Sequence, residues 1–175
     1  MLDQIIQIYN IKQTQRTGWV HNSILNPETV GSHSFGVAFL AFQLCPKTLC
    51  RSKVVEMALM HDIQESMVGD ITPNCGVSVE DKHEKELQAI KIISEKLNNA
   101  DYVKFFTDYE DGITQEAKFV KNCDKLDMFI QALIYERQGH NLDQFYSQMR
   151  VTEFEEINMI ITQIQNYRKG QQSNK

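Results

Sequence analysis

Apolar residues recur at intervals of three and four along most of the chain, and only three prolines and eight glycines interrupt them. That spacing predicts helices nearly throughout. A first helix is expected over about residues 2 to 13. The pattern then breaks in QRTGWVHNSILNPET, residues 15–29, a segment longer than a simple turn and therefore a place where function concentrates. The next helix runs from about Val30 to Leu44, with His33, Val37, Leu40, Ala41 and Leu44 along one stripe. Ser52 is placed to cap a third helix, whose stripe reads Val55, Ala58, Leu59 and Asp62. Beyond the loop GDITPNCGV, Ser78 with Asp81 forms a capping-box pattern for a helix to about Leu97, and a shorter helix fills about 100 to 110 before the Asp111-Gly112 stop. Thr114 starts a long helix to about Gln138, ended by Gly139, with Ala117, Val120, Asp124, Met128 and Gln131 on one face. Thr152 and Glu155 read as another capping box, ahead of a stripe of Ile157, Ile160, Ile161 and Ile164. The expected fold is all-α: a compact single-domain helical bundle over residues 1–168, with a polar, disordered tail at 169–175.

Three of these stripes contain a side chain that burial penalises: His33 on one helix, Asp62 beside His61 on the next, and Asp124 on the long one. On a continuous helix, His61 and Asp62 project from one quadrant with Glu65 a turn above both. A lone buried histidine is ordinarily a hydrogen-bonded core residue, and a lone aspartate a cap or ion-pair partner. Taken together the four groups point elsewhere, because burying unpaired carboxylates costs several kcal/mol each and one shared cation would offset them all.

Composition narrows the partners. A net charge of −5 gives no basic field for a nucleic-acid backbone or an anionic membrane. Four cysteines without a CxxC pair argue against a zinc ribbon or a disulfide scaffold and for a reducing, cytoplasmic setting. The amino terminus has no basic stretch of an export signal, and VAFLAF is far too short to cross a bilayer.

The segments VGSHSFGVAFLAF, ALMHDIQESMVGDITP and EAKFVKNCDKLDMFIQA resemble the H…HD…D signature of the HD-domain metal-dependent phosphohydrolases. More narrowly, RTGWV, PETVGSH, HDIQESMVGDITP, DKHEKE and AKFVKNCDKLD are similar to the HD-domain 5'-deoxynucleotidases, over about residues 10 to 160. The resemblance implies metal ligands at His33, His61, Asp62 and Asp124, with Asp127 the rival for the last place and otherwise a helix-surface or supporting acid. It implies a catalytic role for Glu65 beside the attacking water and a substrate-pocket role for Asp70. Arg16 and Trp19 match the arginine and tryptophan of the family's nucleotide site, although Thr17 and Gly18 separate them here. Ser32 departs from the pattern, standing where relatives usually carry an acid. Relatives are usually homodimers.

Two imidazoles and two carboxylates suit one six-coordinate divalent ion, manganese, cobalt or iron ahead of magnesium or zinc. Such an ion lowers the pKa of water and neutralises phosphoryl charge, Glu65 can orient the water or take its proton, and Arg16 can pair with the phosphate. Trp19 could stack on a base or block a ribose hydroxyl, or simply plug the bundle. Asp70 could accept a bond from a sugar hydroxyl or serve as a turn residue. Lys82 and His83 could add positive charge near the phosphate, though a solvated helix face explains them as well. His21 and His140 fit no constellation and are expected at the surface. The expected activity is hydrolysis of deoxyribonucleoside 5'-monophosphates. The alternatives are an HD phosphodiesterase, disfavoured because only His83 lies between Asp62 and Asp124, and a non-catalytic nucleotide-binding protein, disfavoured by the intact Glu65.

Overall fold

The computed structural model describes residues 1–172. Among the described residues nine α-helices run in order: α1 Leu2–Ile8, α2 Thr17–His21, α3 Val30–Leu44, α4 Arg51–Met60, α5 Glu65–Val68, α6 Val79–Leu97, α7 Asp101–Asp111, α8 Gln115–Glu136 and α9 Glu155–Gln172. Short 3-10 turns lie at Tyr9–Lys12, Pro73–Cys75 and Asp143–Gln148. Among the described residues there is no strand, only an isolated antiparallel bridge between Gln15 and Thr29.

The all-α expectation holds, and the bundle is organised around α3. This helix packs against α4 and α8, α7 lies against both α4 and α8, and α9 covers another side of α8. The main core joins Val37 and Ala41 of α3, Met57 and Ala58 of α4, Phe119, Val120 and Cys123 of α8, and Ile157, Ile161 and Ile164 of α9. A second core, with Ile11, Val30, Ile63, Ile90, Ile93 and Phe106, sits beneath α6. The isoleucine stripe of the last helix is therefore core.

The capping predictions at Ser78 and Thr114 are met: their hydroxyls accept from the backbone N–H of Asp81 and Ala117. Asn98 and Gly112, both in the left-handed region, end α6 and α7. Ser52 does not cap α4, which begins a residue earlier with Cys50 at the cap position. Thr152 does not make its capping box with Glu155 either; its backbone N–H donates to Asn158 Oδ1, so Asn158 ties the loop to α9. The described part of α9 continues as far as Gln172, into the stretch read as a tail, whose residues 173–175 lie outside the described residues.

The largest departure lies at the HD dipeptide. α4 stops at Met60, and a turn of 3-10-like bonds, Glu65 N to Asp62 O at 3.0 Å and Ser66 N to Ile63 O at 3.2 Å, leads into α5. The buried face of α4 is Val54, Met57 and Ala58, with Leu59 exposed. The stripe is thus rotated from the expected one, with Val54 and Met57 inside in place of Val55 and Leu59, and the helix ends before its pattern would close.

Candidate metal centre

His61 follows the last residue of α4 with its backbone still in the helical region. Ending α4 at Met60 leaves last-turn carbonyls free, and the Ala58 carbonyl accepts the His61 Nδ1–H at 2.8 Å. That bond fixes the tautomer and turns the Nε2 lone pair inward. Opposite, on α3, His33 donates its Nδ1–H to Asp127 Oδ2 at 2.7 Å, so its Nε2 is presented as well.

Four donor atoms then converge. His33 Nε2 lies 3.1 Å from Asp124 Oδ1, 3.4 Å from His61 Nε2 and 3.7 Å from Asp62 Oδ2, and His61 Nε2 is 3.1 Å from that same Asp62 oxygen. Adjacent ligands on an ion with bonds of about 2.1 Å stand about 3 Å apart, so the spacing fits one divalent cation. His33, His61 and Asp62 alone bring ligand atoms within 4.8 Å of one another, and Asp124 joins them through His33. A second such group, Glu28, His33 and Asp127, uses the opposite face of the His33 ring. It reads as support, because the Trp19 indole N–H already occupies Glu28 Oε1 at 2.8 Å and Asp127 already accepts from His33.

The electrostatics agree. Burial and the Arg16 guanidinium work against a charged His33, yet its hydrogen bonds to Asp124 and Asp127 lift it to about 9. Burial likewise opposes a charged His61, and the Asp62 carboxylate overcomes it. Burial should raise Asp124, but the His33 imidazole beside it holds its carboxyl far below the usual range. Protons on the histidines answer the same concentration of negative charge that would attract a cation.

Glu65 sits at the start of α5, 5% exposed, and its Oε2 is buried with no hydrogen-bond partner among the described residues. Burial, with the Asp62 and Asp70 carboxylates, pushes its pKa well above the ordinary value, against the opposing pull of Arg16 and Lys82. An unpartnered carboxyl at the edge of the cluster suits a proton-accepting base.

Arg16 reaches the centre because the backbone bridge aligns its strand-like segment with residues 28–30: Arg16 N donates to the Glu28 carbonyl and Val30 N to that of Thr14. Its guanidinium comes to 3.9 Å from Asp62 and 3.8 Å from Glu28. Asp70 is close by, but its Oδ2 accepts the Thr17 N–H at 2.6 Å and its carbonyl the Thr17 hydroxyl at 2.7 Å; it anchors the start of α2 beside Arg16. Lys82 pairs with Glu86 at 3.5 Å on α6. His83 faces Glu110 and the Phe106 ring, His21 is exposed, and His140 lies against Tyr135.

Trp19 is not where a base could stack. It is 1% exposed, packed edge-on to Tyr135 and tilted against Phe145 with ring centroids 4.4 Å apart. The insertion of Thr17 and Gly18 makes α2 a short helix whose inner face is this indole, and its route to the centre runs through Glu28 to Arg16. The burial belongs to the plug alternative.

Three supporting residues have no counterpart in the sequence reading. Tyr109 on α7 donates to Asp124 Oδ2 at 2.8 Å while its ring lies 5.2 Å from His61, holding one carboxylate oxygen so that the other faces His33. Glu28 links Trp19 to Arg16. Gly36 leaves room for Asp127: a Cβ there would stand 2.1 Å from Asp127 Oδ1. Glu28 and Gly36 fall inside the blocks PETVGSH and VGSHSFG, so their place in the motif was a signal; Tyr109 offered none.

The HD domain family model matches residues 8–168. The chain is 37% identical over 145 residues, 77% of it and 73% of the relative, to 5'-deoxynucleotidase hdd1 of Schizosaccharomyces pombe. It is 35% identical to 5'-deoxynucleotidase HDDC2 of Homo sapiens over 142 residues, 78% of this chain and 70% of that one. Among solved structures it is similar to a conserved hypothetical protein from Pyrococcus furiosus, with a TM-score of 0.81, 29% identity, and coverage of 95% of this chain and 99% of the other.

Proposed function

The chain belongs to the HD domain family, and on that premise we propose that it is a divalent-metal-dependent 5'-deoxynucleotidase that hydrolyses deoxyribonucleoside 5'-monophosphates to a deoxynucleoside and phosphate. The observation that carries the chemistry is the convergence of His33 Nε2, His61 Nε2 and Asp62 Oδ2 at 3.1–3.7 Å from one another, with Asp124 Oδ1 3.1 Å from His33 Nε2, beside the unpartnered Glu65 Oε2. The names of the relatives support the substrate class.

His33, His61, Asp62 and Asp124 would hold one divalent cation, manganese, cobalt or iron ahead of magnesium or zinc. When bound it supplies Lewis acidity, lowering the pKa of water and offsetting charge on the phosphoryl oxygens. Glu65 accepts a proton from the attacking water as the water oxygen bonds to phosphorus, and returns it to the 5' oxygen as the phosphorus–oxygen ester bond breaks. Arg16 grips the phosphoryl oxygens through its planar fork, and Lys82 adds a second positive charge. Asp70 and Trp19 act behind Arg16, the first fixing the start of α2 and the second holding Glu28.

Metal-stripped protein given Mn²⁺, Co²⁺ or Mg²⁺ is expected to release phosphate from dAMP and dTMP in preference to AMP. Glu65→Gln should lose about 10²-fold or more of that rate while still binding the ion. Tight metal binding with no release from any monophosphate would remove the nucleotidase reading and leave the phosphodiesterase or binding alternatives.

A homodimer fits the outer face of α3, where Phe35, Phe39 and Phe42 are 72%, 56% and 55% exposed, with the Arg51 guanidinium over the Phe42 ring at one end of the stripe. An exposed aromatic stripe of this kind suits burial against a second copy; sedimentation of the free protein reads it directly. The cytoplasm is the compartment this reading assigns, in keeping with the exposed free thiols Cys50 and Cys75.

A further inference from the structure

Glu86 is the least expected residue on α6. It is 3% exposed, and the other buried residues of that helix are Ala89, Ile90 and Ile93. A carboxyl in such a place costs free energy that an aliphatic residue would not. An ordinary surface pair one helical turn apart would stabilise α6 by a few tenths of a kcal/mol with both partners in water; here the acid is buried and only the base reaches outward. Its partner is Lys82, Oε1 to Nζ at 3.5 Å, with the lysine side chain 38% exposed.

Lys82 lies in the first turn of α6, the helix that packs against α5, which begins with Glu65. Burial alone would weaken its charge, but Glu86, Glu65, Asp62 and Asp70 together strengthen it. Arg16 meets the field of two of those acids from another element: burial opposes its charge, and Asp124, Asp62, Glu28 and Asp70 reinforce it. Two cations, Arg16 at 3.9 Å from Asp62 and Lys82 on the neighbouring α6, thus act on the same acids, and an oxyanion would be held between them.

We propose that Glu86 is a positioning residue for the phosphate site, anchoring Lys82 opposite Arg16 so that the phosphoryl group of the substrate is gripped from both sides. The nature of the ligand rests on the nucleotidase reading; the anchoring of Lys82 for an oxyanion does not. Burial lifts the Glu86 carboxyl to about 7, with Lys82 opposing and Glu110 and Asp62 adding to it, so the pair is tested at about pH 8, where Glu86 is ionised.

The experiment measures inorganic phosphate binding to Mn²⁺-loaded protein by calorimetry, and KM and kcat for dAMP, in Glu86→Gln, Lys82→Met and the double variant. Glu86→Gln is expected to weaken phosphate binding and raise KM about tenfold, the scale of one charge-assisted hydrogen bond, with the effect on KM rather than kcat and with Mn²⁺ affinity unaltered. Lys82→Met should do the same, and the double variant should be no weaker than either single one. Glu86→Asp, which keeps the charge, should recover part of the loss, and it replaces Glu86→Gln in the cycle if that variant does not fold. Phosphate affinity within twofold of the parent in the folded Glu86 variant, or additive losses in the double variant, would overturn the proposal. Loss of phosphate binding in a protein that turns over no monophosphate would reject the substrate and leave the positioning role standing.

Discussion

Gly36→Ala tests the supporting layer of the metal centre with a single methyl group. The added Cβ would stand 2.1 Å from Asp127 Oδ1 and 3.0 Å from its Cγ, far inside van der Waals contact. Asp127 must therefore move, and its short side chain cannot do so while keeping Oδ2 at 2.7 Å from His33 Nδ1. His33 then loses the acceptor that fixes its tautomer and aims Nε2 at the cluster. Losing a supporting partner of this kind typically costs 10–100-fold in metal affinity, or about 1.4–2.7 kcal/mol. Folding stability is pulled both ways: the buried bond to a charged acceptor is worth about 1.5–3 kcal/mol, while alanine replaces glycine in mid-helix with a gain of about 0.5–1 kcal/mol. The expected signature is a drop of at least tenfold in Mn²⁺ affinity by calorimetry, with a melting temperature of metal-free protein lowered by only a few degrees. Asp127→Asn, which keeps the shape and removes the charge, should weaken the ion in the same direction. Unchanged metal affinity in Gly36→Ala would refute the reasoning, because the carboxylate would then have found a second position equally good for His33.

Two further outcomes follow from the geometry. Tyr109→Phe removes the donor to Asp124 Oδ2 while preserving the ring beside His61, and should weaken Mn²⁺ binding about tenfold; titration of the stripped variant reads it, and an unchanged constant would make Tyr109 a packing residue only. Glu86 sets a pH dependence: its carboxyl, near 4.5 in the unfolded chain and about 7 in the fold, binds a proton on folding between those values, so stability falls as pH rises through that window, by up to about 3 kcal/mol. Glu86→Gln should flatten the fall in melting temperature between those limits, and parallel slopes for parent and variant would show that Glu86 does not titrate there.

The fold was legible wherever local chemistry sets it. The bounds of α3, the caps at Ser78 and Thr114 and the stop at Gly112 follow from capping and left-handed geometry that a few adjacent residues determine. Where a helix end depends on tertiary contacts, the pattern misled. Periodicity ran α4 on through Glu65, whereas the chain ends the helix at Met60 and turns, because only then does the Ala58 carbonyl become free to hold His61. Ser52 and Thr152 carry the right hydroxyl at the wrong register: α4 starts behind Cys50 with no side-chain cap, and Asn158, itself in α9, binds Thr152 in the second case.

The same division runs through the site. The groups expected to hold an ion could be picked out because a charged residue on an apolar stripe is anomalous in one dimension, and three such anomalies on separate helices point to a common cause. The residues that aim those groups are not anomalous in sequence. Tyr109 looks like any aromatic on the inner face of α7, and Gly36 like a tolerated helix glycine; each acquires meaning only when α7 or α8 is laid against α3 and α4. Trp19 errs in the opposite sense: an isolated tryptophan beside an arginine suggests a stacking platform, yet the fold buries the ring and uses its one polar atom, through Glu28, to steady Arg16. A substitution at Trp19 should therefore act on phosphate binding through Arg16 and leave the choice among bases unaltered, which KM values of Trp19→Phe for dAMP and dTMP would decide: an equal rise for both agrees with a steadying role, and a change in their ratio would put the indole back against the base.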